Sequence, residues 1–229
     1  MISLPSQVLE LTGADAATFA HAQFSSDVLA LADGQWQWSA WLSPQGRVRA
    51  FFQLLRTNAS HLTLTLRGGD AEWLRAEMAR FVFRAKVQMG ATHGGASQTT
   101  ALEDIRAGIP EIGVELRDQL LPQWIGLDRL GAVSVRKGCY PGQEIMARLH
   151  FKGGNKRSLY RIGCDIFLPA GTMLRDAQTG AEAGCVLQCA RVDDSGRHEA
   201  LASLIDAQAE ATLRADPESA AIRPVEHFR

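Results

Sequence analysis

A chain of 229 residues, 46% of them hydrophobic, has room for one large core or two modest ones. Its 24 basic and 25 acidic residues leave a formal net charge of -1, which excludes a global field that would gather nucleic acid or an anionic membrane. No apolar run approaches the roughly 20 residues that cross a bilayer, and Met1–Pro5 lacks the basic and apolar regions of a secretion signal, so a cytoplasmic chain that does not engage a membrane is expected.

In chain order, Val8–Thr12 reads as a strand, and Asp15 as the cap of a helix that runs to Phe24 and breaks at Ser25-Ser26-Asp27. Gln35–Leu42 sets Trp36, Trp38, Ala40 and Leu42 on one side, and Ser43-Pro44-Gln45-Gly46 turns it into a hairpin with Arg47–Arg56. His61–Arg67 alternates through Leu62, Leu64 and Leu66, and Asp70 caps a helix whose Trp73, Leu74, Met78 and Phe81 have the spacing of a packed face. A further strand is expected over Arg84–Met89 and a linker over Gly90–Thr100. Thr100 then caps a short helix to Ala107, stopped by Gly108 and Pro110, and an irregular run to Gly131 is anchored by Trp124 and Leu127.

The densest stretch is Lys137-Gly-Cys-Tyr-Pro-Gly-Gln-Glu144, which runs on to Gly154. Pro141 suits a first helical position, and the helix that follows would carry Ile145 and Leu149 on one face and pair Glu144 with Arg148 at i,i+4. Cys139 then lies ahead of a helix N-terminus with Lys137 near it, a setting that favours a nucleophilic thiol. His150, at the end of the same helix, reads as a partner of the helix dipole.

Beyond this stretch come short strands at regular spacing: Ser158–Leu168, Ala183–Val192, His198–Ile205 and Glu210–Arg214, with a turn at 193–196. They predict a small antiparallel barrel or sandwich, closed by a partly ordered tail after Pro217. Four cysteines make no disulfide framework in a chain this long. Along a strand Cys185 and Cys189 stand roughly 13 Å apart, too far for a disulfide. They are expected on one sheet face, and no further ligand completes a metal site.

With Ala107-Gly-Ile-Pro110 before it and Phe151-Lys-Gly-Gly-Asn-Lys-Arg157 after it, the Lys137–Glu144 box closely resembles that of the YgfZ family of folate-binding proteins, relatives of the glycine-cleavage T-protein (GcvT), an aminomethyltransferase. Thr12–Asp15, Gln23–Asp27, Leu42–Gly46 and Phe83–Val87 extend the resemblance over most of the chain. It implies an α+β fold: a folate-binding region of antiparallel sheets with helices over 1–155, shortened near 90–107, and a C-terminal antiparallel β-barrel over 156–229. It implies tetrahydrofolate as cofactor, Cys139 as the functional thiol, and Lys137, Tyr140, Gln143, Glu144, Arg148 and Asp27 as residues shaping the folate site. For Asp27 the residues themselves equally give a helix-ending turn. The role implied is support of iron–sulfur cluster assembly or repair, and through it of tRNA modification, with an iron–sulfur protein as partner. The T-protein's acidic Gly-x-x-Gly-Glu-x-Gly-Phe-Glu segment has no counterpart here, which argues against aminomethyl transfer.

From 136 to 161, Arg136, Lys137, Arg148, Lys152, Lys156, Arg157 and Arg161 face only Glu144. This basic stretch would hold the glutamate tail of a folate or make a weak RNA contact. The alternative it carries is a non-enzymatic protein- or RNA-interaction module, as a monomer or an oligomer, in which the folate pocket has degenerated.

Overall fold

The computed structural model describes residues 5–96, 99–193, 196–215 and 220–228. The chain is α+β, with two antiparallel sheets and four α-helices among the described residues. It divides into two compact units. The first takes in the described residues of 1–97, 112–122 and 130–153, and the second those of 98–111, 123–129 and 154–229, so the second unit also draws on segments from before residue 156. No helix among the described residues is long and apolar enough to cross a membrane.

The first unit is built on β1 (Pro5–Thr12), β2 (Trp36–Leu42), β3 (Val48–Asn58), β4 (His61–Leu66) and β5 (Gln88–Ala96), in the order β2-β3-β4-β1-β5. The alternation of Leu62, Leu64 and Leu66 sends all three into the core, where they meet Leu9 and Leu11 of the paired β1. Helices α1 (Ala16–Gln23) and α2 (Ala71–Ala79) contribute Phe19, Leu74 and Met78 to this core, and Phe24, just past α1, sets its ring edge-on to Phe52 at 4.9 Å. Truncating a buried aromatic of this kind to alanine typically costs about 3–5 kcal/mol. Asp70 caps α2 as expected, its Oδ1 accepting from the Glu72 and Trp73 amides at 2.8 and 3.3 Å.

Asp15 precedes α1 and its carbonyl accepts from the Phe19 amide at 2.8 Å, but its carboxylate does not cap the helix. Its Oδ2 accepts from the Lys86 amide at 2.7 Å and ties down the segment that leads into β5. Of the side formed by Trp36, Trp38, Ala40 and Leu42, Ala40 and Leu42 are buried while Trp36 is 51% exposed, and Trp41 on the opposite side is buried as well. The strand is buried on both faces at its Leu42 end, so alternation does not identify the core side.

The largest difference falls at 84–96. The strand is Gln88–Ala96, where small and polar residues suggest a linker, and most of Arg84–Met89 is irregular. β1 has a second edge, and its backbone N–H and C=O groups need partners whatever the side chains opposite. Residues 88–96 contain no proline, so they supply that ladder from Thr12↔Gln88 to Gln7↔His93.

The second unit carries α3 (Ala101–Ala107) and a sheet of β6 (Arg157–Cys164), β7 (Met173–Asp176), β8 (Glu182–Arg191), β9 (His198–Ile205), β10 (Leu213–Arg214) and β11 (Arg223–Phe228), ordered β10-β7-β8-β9-β6-β11. Thr100 and Glu103 form a capping box on α3. Leu213 bridges to Ile222, which brings the two outer strands of this half-barrel together. β11 replaces the expected tail: residues 216–219 lie outside the described set, but 223–228 pair with β6, with His227 stacked on Tyr160 at 4.4 Å and Glu226 held by Arg161 at 3.0 Å. The strand expected over Glu210–Arg214 shrinks to two residues behind a 3-10 turn at Asp206–Gln208. Met1–Leu4, part of the Gly90–Thr100 stretch and the middle of the 193–196 turn also fall outside the described residues.

Truncating the chain after Ala215 removes β11 and its ion pair. Urea denaturation should show a loss of at least about 2 kcal/mol, whereas a loose tail would leave the curve unchanged.

Candidate functional site

The Lys137–Glu144 box lies in the first unit, on the loop that enters α4 (Gln143–Lys152). Its anchor is Lys137, 7% exposed, whose ammonium donates to the carbonyls of His21 and, at 2.5 Å, of Phe24. These are carbonyls that α1 leaves unpaired at its C-terminal end, where the helix dipole is negative. The ammonium also stands 4.8 Å from the centre of the Tyr140 ring. Burial pushes the Lys137 ammonium down to about 8, with Asp27 pulling the other way. Burial likewise raises the Tyr140 phenol to about 12, and its O–H donates to the Ser134 carbonyl at 2.9 Å.

The rest of the loop is braced from the same side. The Ser134 amide donates to Ser25 O at 2.7 Å, and Ser25 Oγ donates to Ala132 O at 2.7 Å while accepting from Ala40 N. Gln143 Nε2 reaches back to the Lys137 carbonyl at 3.1 Å. Ser26 donates to Ser39, and Gln37 Nε2 donates to Ser26 Oγ at 2.9 Å and to Asp27 O at 3.2 Å. His21 Nδ1 lies 3.4 Å from Asp27 Oδ1, and burial lowers its imidazole, followed by repulsion from Lys137.

The helix does not start at Pro141. Gly142, in the left-handed region at φ 80, precedes the first residue, Gln143. It is packed hard against the hairpin tip: a β-carbon there would stand 2.6 Å from Ser43 O and 2.7 Å from Gly46 Cα, and one at Gly46 would stand 2.9 Å from Ile145 Cβ. Met146, not Ile145 or Leu149, is the fully buried residue of α4. Glu144 and Arg148 are exposed, with no ion pair between them among the described residues.

The structure therefore gathers Lys137, Tyr140, Gln143 and Asp27 around the end of α1, leaves Glu144 and Arg148 on the open face of α4, and exposes Cys139. Spacing alone places the Lys137 charge beside the thiol, but the ammonium is committed to the α1 carbonyls and holds the loop. The basic stretch is also partly used: Arg157 pairs with Glu182 at 2.5 Å, and Arg161 pairs with Glu199 and Glu226. Arg136, Arg148, Lys152 and Lys156 remain exposed.

Sequence reasoning passed over Ser25, Ser26, Ser134, Gln37 and His21, whose partners lie far away in the chain and leave no local pattern. It also passed over the thiol pair of the second unit. Cys189 packs with Cys164 and Leu168, and the contact between the two thiols lowers Cys189 while Cys164 is pushed up. A register shift between Val186 and Gln188 breaks the alternation, and Cys185 is not in that cluster, which corrects the expected shared face of Cys185 and Cys189.

Two outcomes follow. Under native conditions iodoacetamide should label Cys139 first and Cys164 and Cys185 only on unfolding, read by peptide mass spectrometry; equal rates would contradict the exposed loop. Lys137→Met should cost about 2 kcal/mol at neutral pH by stranding buried carbonyls. The unfolded lysine keeps its proton to its ordinary 10.5 and the folded one only to about 8, so between these values the unfolded chain binds more protons and rising pH favours the fold. The stability gap between wild type and Lys137→Met, measured in urea, should accordingly widen from pH 8 to pH 10.5.

No family model matches the sequence. Over 194 residues, 67% of this chain and 69% of the other, it is 25% identical to an uncharacterized protein of Haemophilus influenzae. Its structure is similar to the crystal structure of the glycine cleavage system aminomethyltransferase T from Bartonella henselae, with a TM-score of 0.66 over 95% of this chain and 81% of that one, at 14% identity. The chain thus has an aminomethyltransferase-T-like fold.

Proposed function

We propose that the chain is a YgfZ-type, tetrahydrofolate-binding accessory protein, acting in the cytoplasm, that supports iron–sulfur cluster assembly or repair and thereby tRNA modification, with Cys139 as its working thiol. The observation that carries this reading is the display of Cys139: an exposed thiol on a loop fixed at both ends, by the buried Lys137 on one side and by the Gly142 contact on the other. Such a thiol is accessible to a partner yet held in place. The fold likeness to a T-protein supports the folate half of the reading.

The residues at the end of α1 suit a pterin, whose edge carries several N–H donors. Gln23 Oε1 is a buried acceptor without a hydrogen-bond partner among the described residues, His21 Nδ1 is buried and likewise lacks a hydrogen bond, and the half-buried Asp27 adds a carboxylate. Gln23, His21 and Asp27 would hold the ring, while Lys137, Tyr140 and Gln143 keep the loop in register. Glu144 and Arg148 would meet the more exposed part of the ligand. Tetrahydrofolate, when bound, supplies a carrier for one-carbon units. A second reading, an RNA- or protein-interaction module, draws on the exposed Arg136, Arg148, Lys152 and Lys156 and predicts salt-sensitive RNA binding without a folate response.

Tetrahydrofolate should quench the fluorescence of the five tryptophans saturably, and a flat titration to about 1 mM would remove the folate half. In cells, Cys139→Ser should fail to support a cluster-dependent tRNA-modifying enzyme where Cys164→Ser still does. Equal support by the two variants would remove the thiol half.

A further inference from the structure

Two thiols of the second unit take no part in the loop at Cys139. Cys164 ends β6 and Cys189 lies near the end of β8, one on each side of β9. Cys164 pairs with His198 and Cys189 with Ala200. These partners are two residues apart, so both thiols point to one face of the sheet, into the cluster that holds Leu168 and Ala200. There they are in contact. The strands that bear them are two spacings, roughly 9.5 Å, apart, whereas a disulfide needs Cα atoms within about 7 Å. The sulfurs therefore meet where they cannot bond to each other without moving the backbone.

One short turn aims backbone donors at both sulfurs. The Leu168 amide donates to Cys189 Sγ at 3.5 Å, and the Ile166 amide donates to Cys164 Sγ. The Cys164 S–H itself reaches His198 O at 3.9 Å. Amides directed at sulfur favour the thiolate form and are a means by which proteins tune metal-bound thiolates. Two thiolates side by side repel each other, and a cation lying between them removes that repulsion.

The surroundings narrow the choice of cation. Among the described residues no three His, Cys, Asp or Glu side chains come together as a metal site, so the four ligands of a structural zinc or of an iron–sulfur cluster are not gathered. The His198 ring is set edge-on to Phe167 at 6.1 Å. A pair of thiolates alone suits a soft monovalent ion, which is satisfied by two sulfurs in line, and monovalent copper is the biological ion of that kind. Cys164 is 6% exposed and Cys189 is partly exposed, so an ion that enters past Cys189 comes to rest out of water.

We propose that Cys164 and Cys189 form a two-coordinate site for monovalent copper, the ion sitting between the sulfurs and the Ile166 and Leu168 amides turned to the thiolates. On binding, two S–H bonds break and two S–Cu bonds form, both protons leave to solvent, and no oxidation state changes. The centre carries one negative charge, which the two amides offset. The proposal involves neither folate nor Cys139, so it fails separately from the reading of the first unit.

The test is titration of the full chain, reduced and free of oxygen, with Cu(I) against an equal concentration of the chelator bicinchoninate. One ion per chain should be held against the chelator, and X-ray absorption at the copper edge should count two sulfur neighbours. Cys164→Ala and Cys189→Ala should each weaken the site at least about a hundredfold. The double variant Cys139→Ser/Cys185→Ala, in which this pair alone remains, should bind as the wild type does. If the single variants do not fold, judged by circular dichroism, the double variant and the sulfur count decide. Loss of all copper to the chelator, a sulfur count other than two, unchanged affinity in a folded Cys164→Ala or Cys189→Ala, or lost binding in a folded double variant overturns the proposal.

Discussion

A single buried ammonium ties together the parts of the first unit that matter for function. Removing the Lys137 charge from water is unfavourable unless strong acceptors replace the lost hydration. The free carbonyls at the end of α1 do this, with the face of Tyr140 alongside. The contact joins residues more than a hundred positions apart, so the loop bearing Cys139 can take its shape only once α1 has docked on its sheet. Ser25 extends the same bond system to β2 through the Ala40 amide and to the loop through Ala132 and Ser134. The exposed thiol therefore rests on a dry, polar, cross-braced foundation.

How much of this was legible in the sequence depended on the range of the interaction that decides each element. Asp70, the Thr100–Glu103 box and the Leu62–Leu64–Leu66 alternation are local signals, and the structure follows them. β5 and β11 are settled by the needs of a neighbouring strand edge, and their own composition of glycine, threonine, proline and charge points elsewhere. Pattern also showed that Lys137 and Cys139 belong to one unit of chain. It did not show that they face different ways, because the acceptors of the lysine are supplied by α1.

The fold and the chemistry rest on different grounds. A T-protein-like architecture at 14% identity fixes the scaffold and leaves the site to be argued from its own residues. Those residues separate into two groups: an interior set whose polar atoms are mostly taken up in holding the loop, and an outer set, Cys139, Glu144 and Arg148, open to solvent. The basic stretch loses strength as a continuous surface because Arg157 and Arg161 are paired within the second unit's sheet and Lys137 is internal.

The contact between Gly46 and Gly142 changes what counts as the motif. Neither position tolerates a β-carbon without moving the other's backbone or side-chain neighbours. The eight-residue box is therefore one half of a discontinuous signature whose other half is Leu42-Ser-Pro-Gln-Gly46. When the chain is compared with others, or its loop is rebuilt by design, the two glycines have to be treated as one inherited character: a lineage that keeps the box but fills position 46 has kept the letters of the motif and lost its seat.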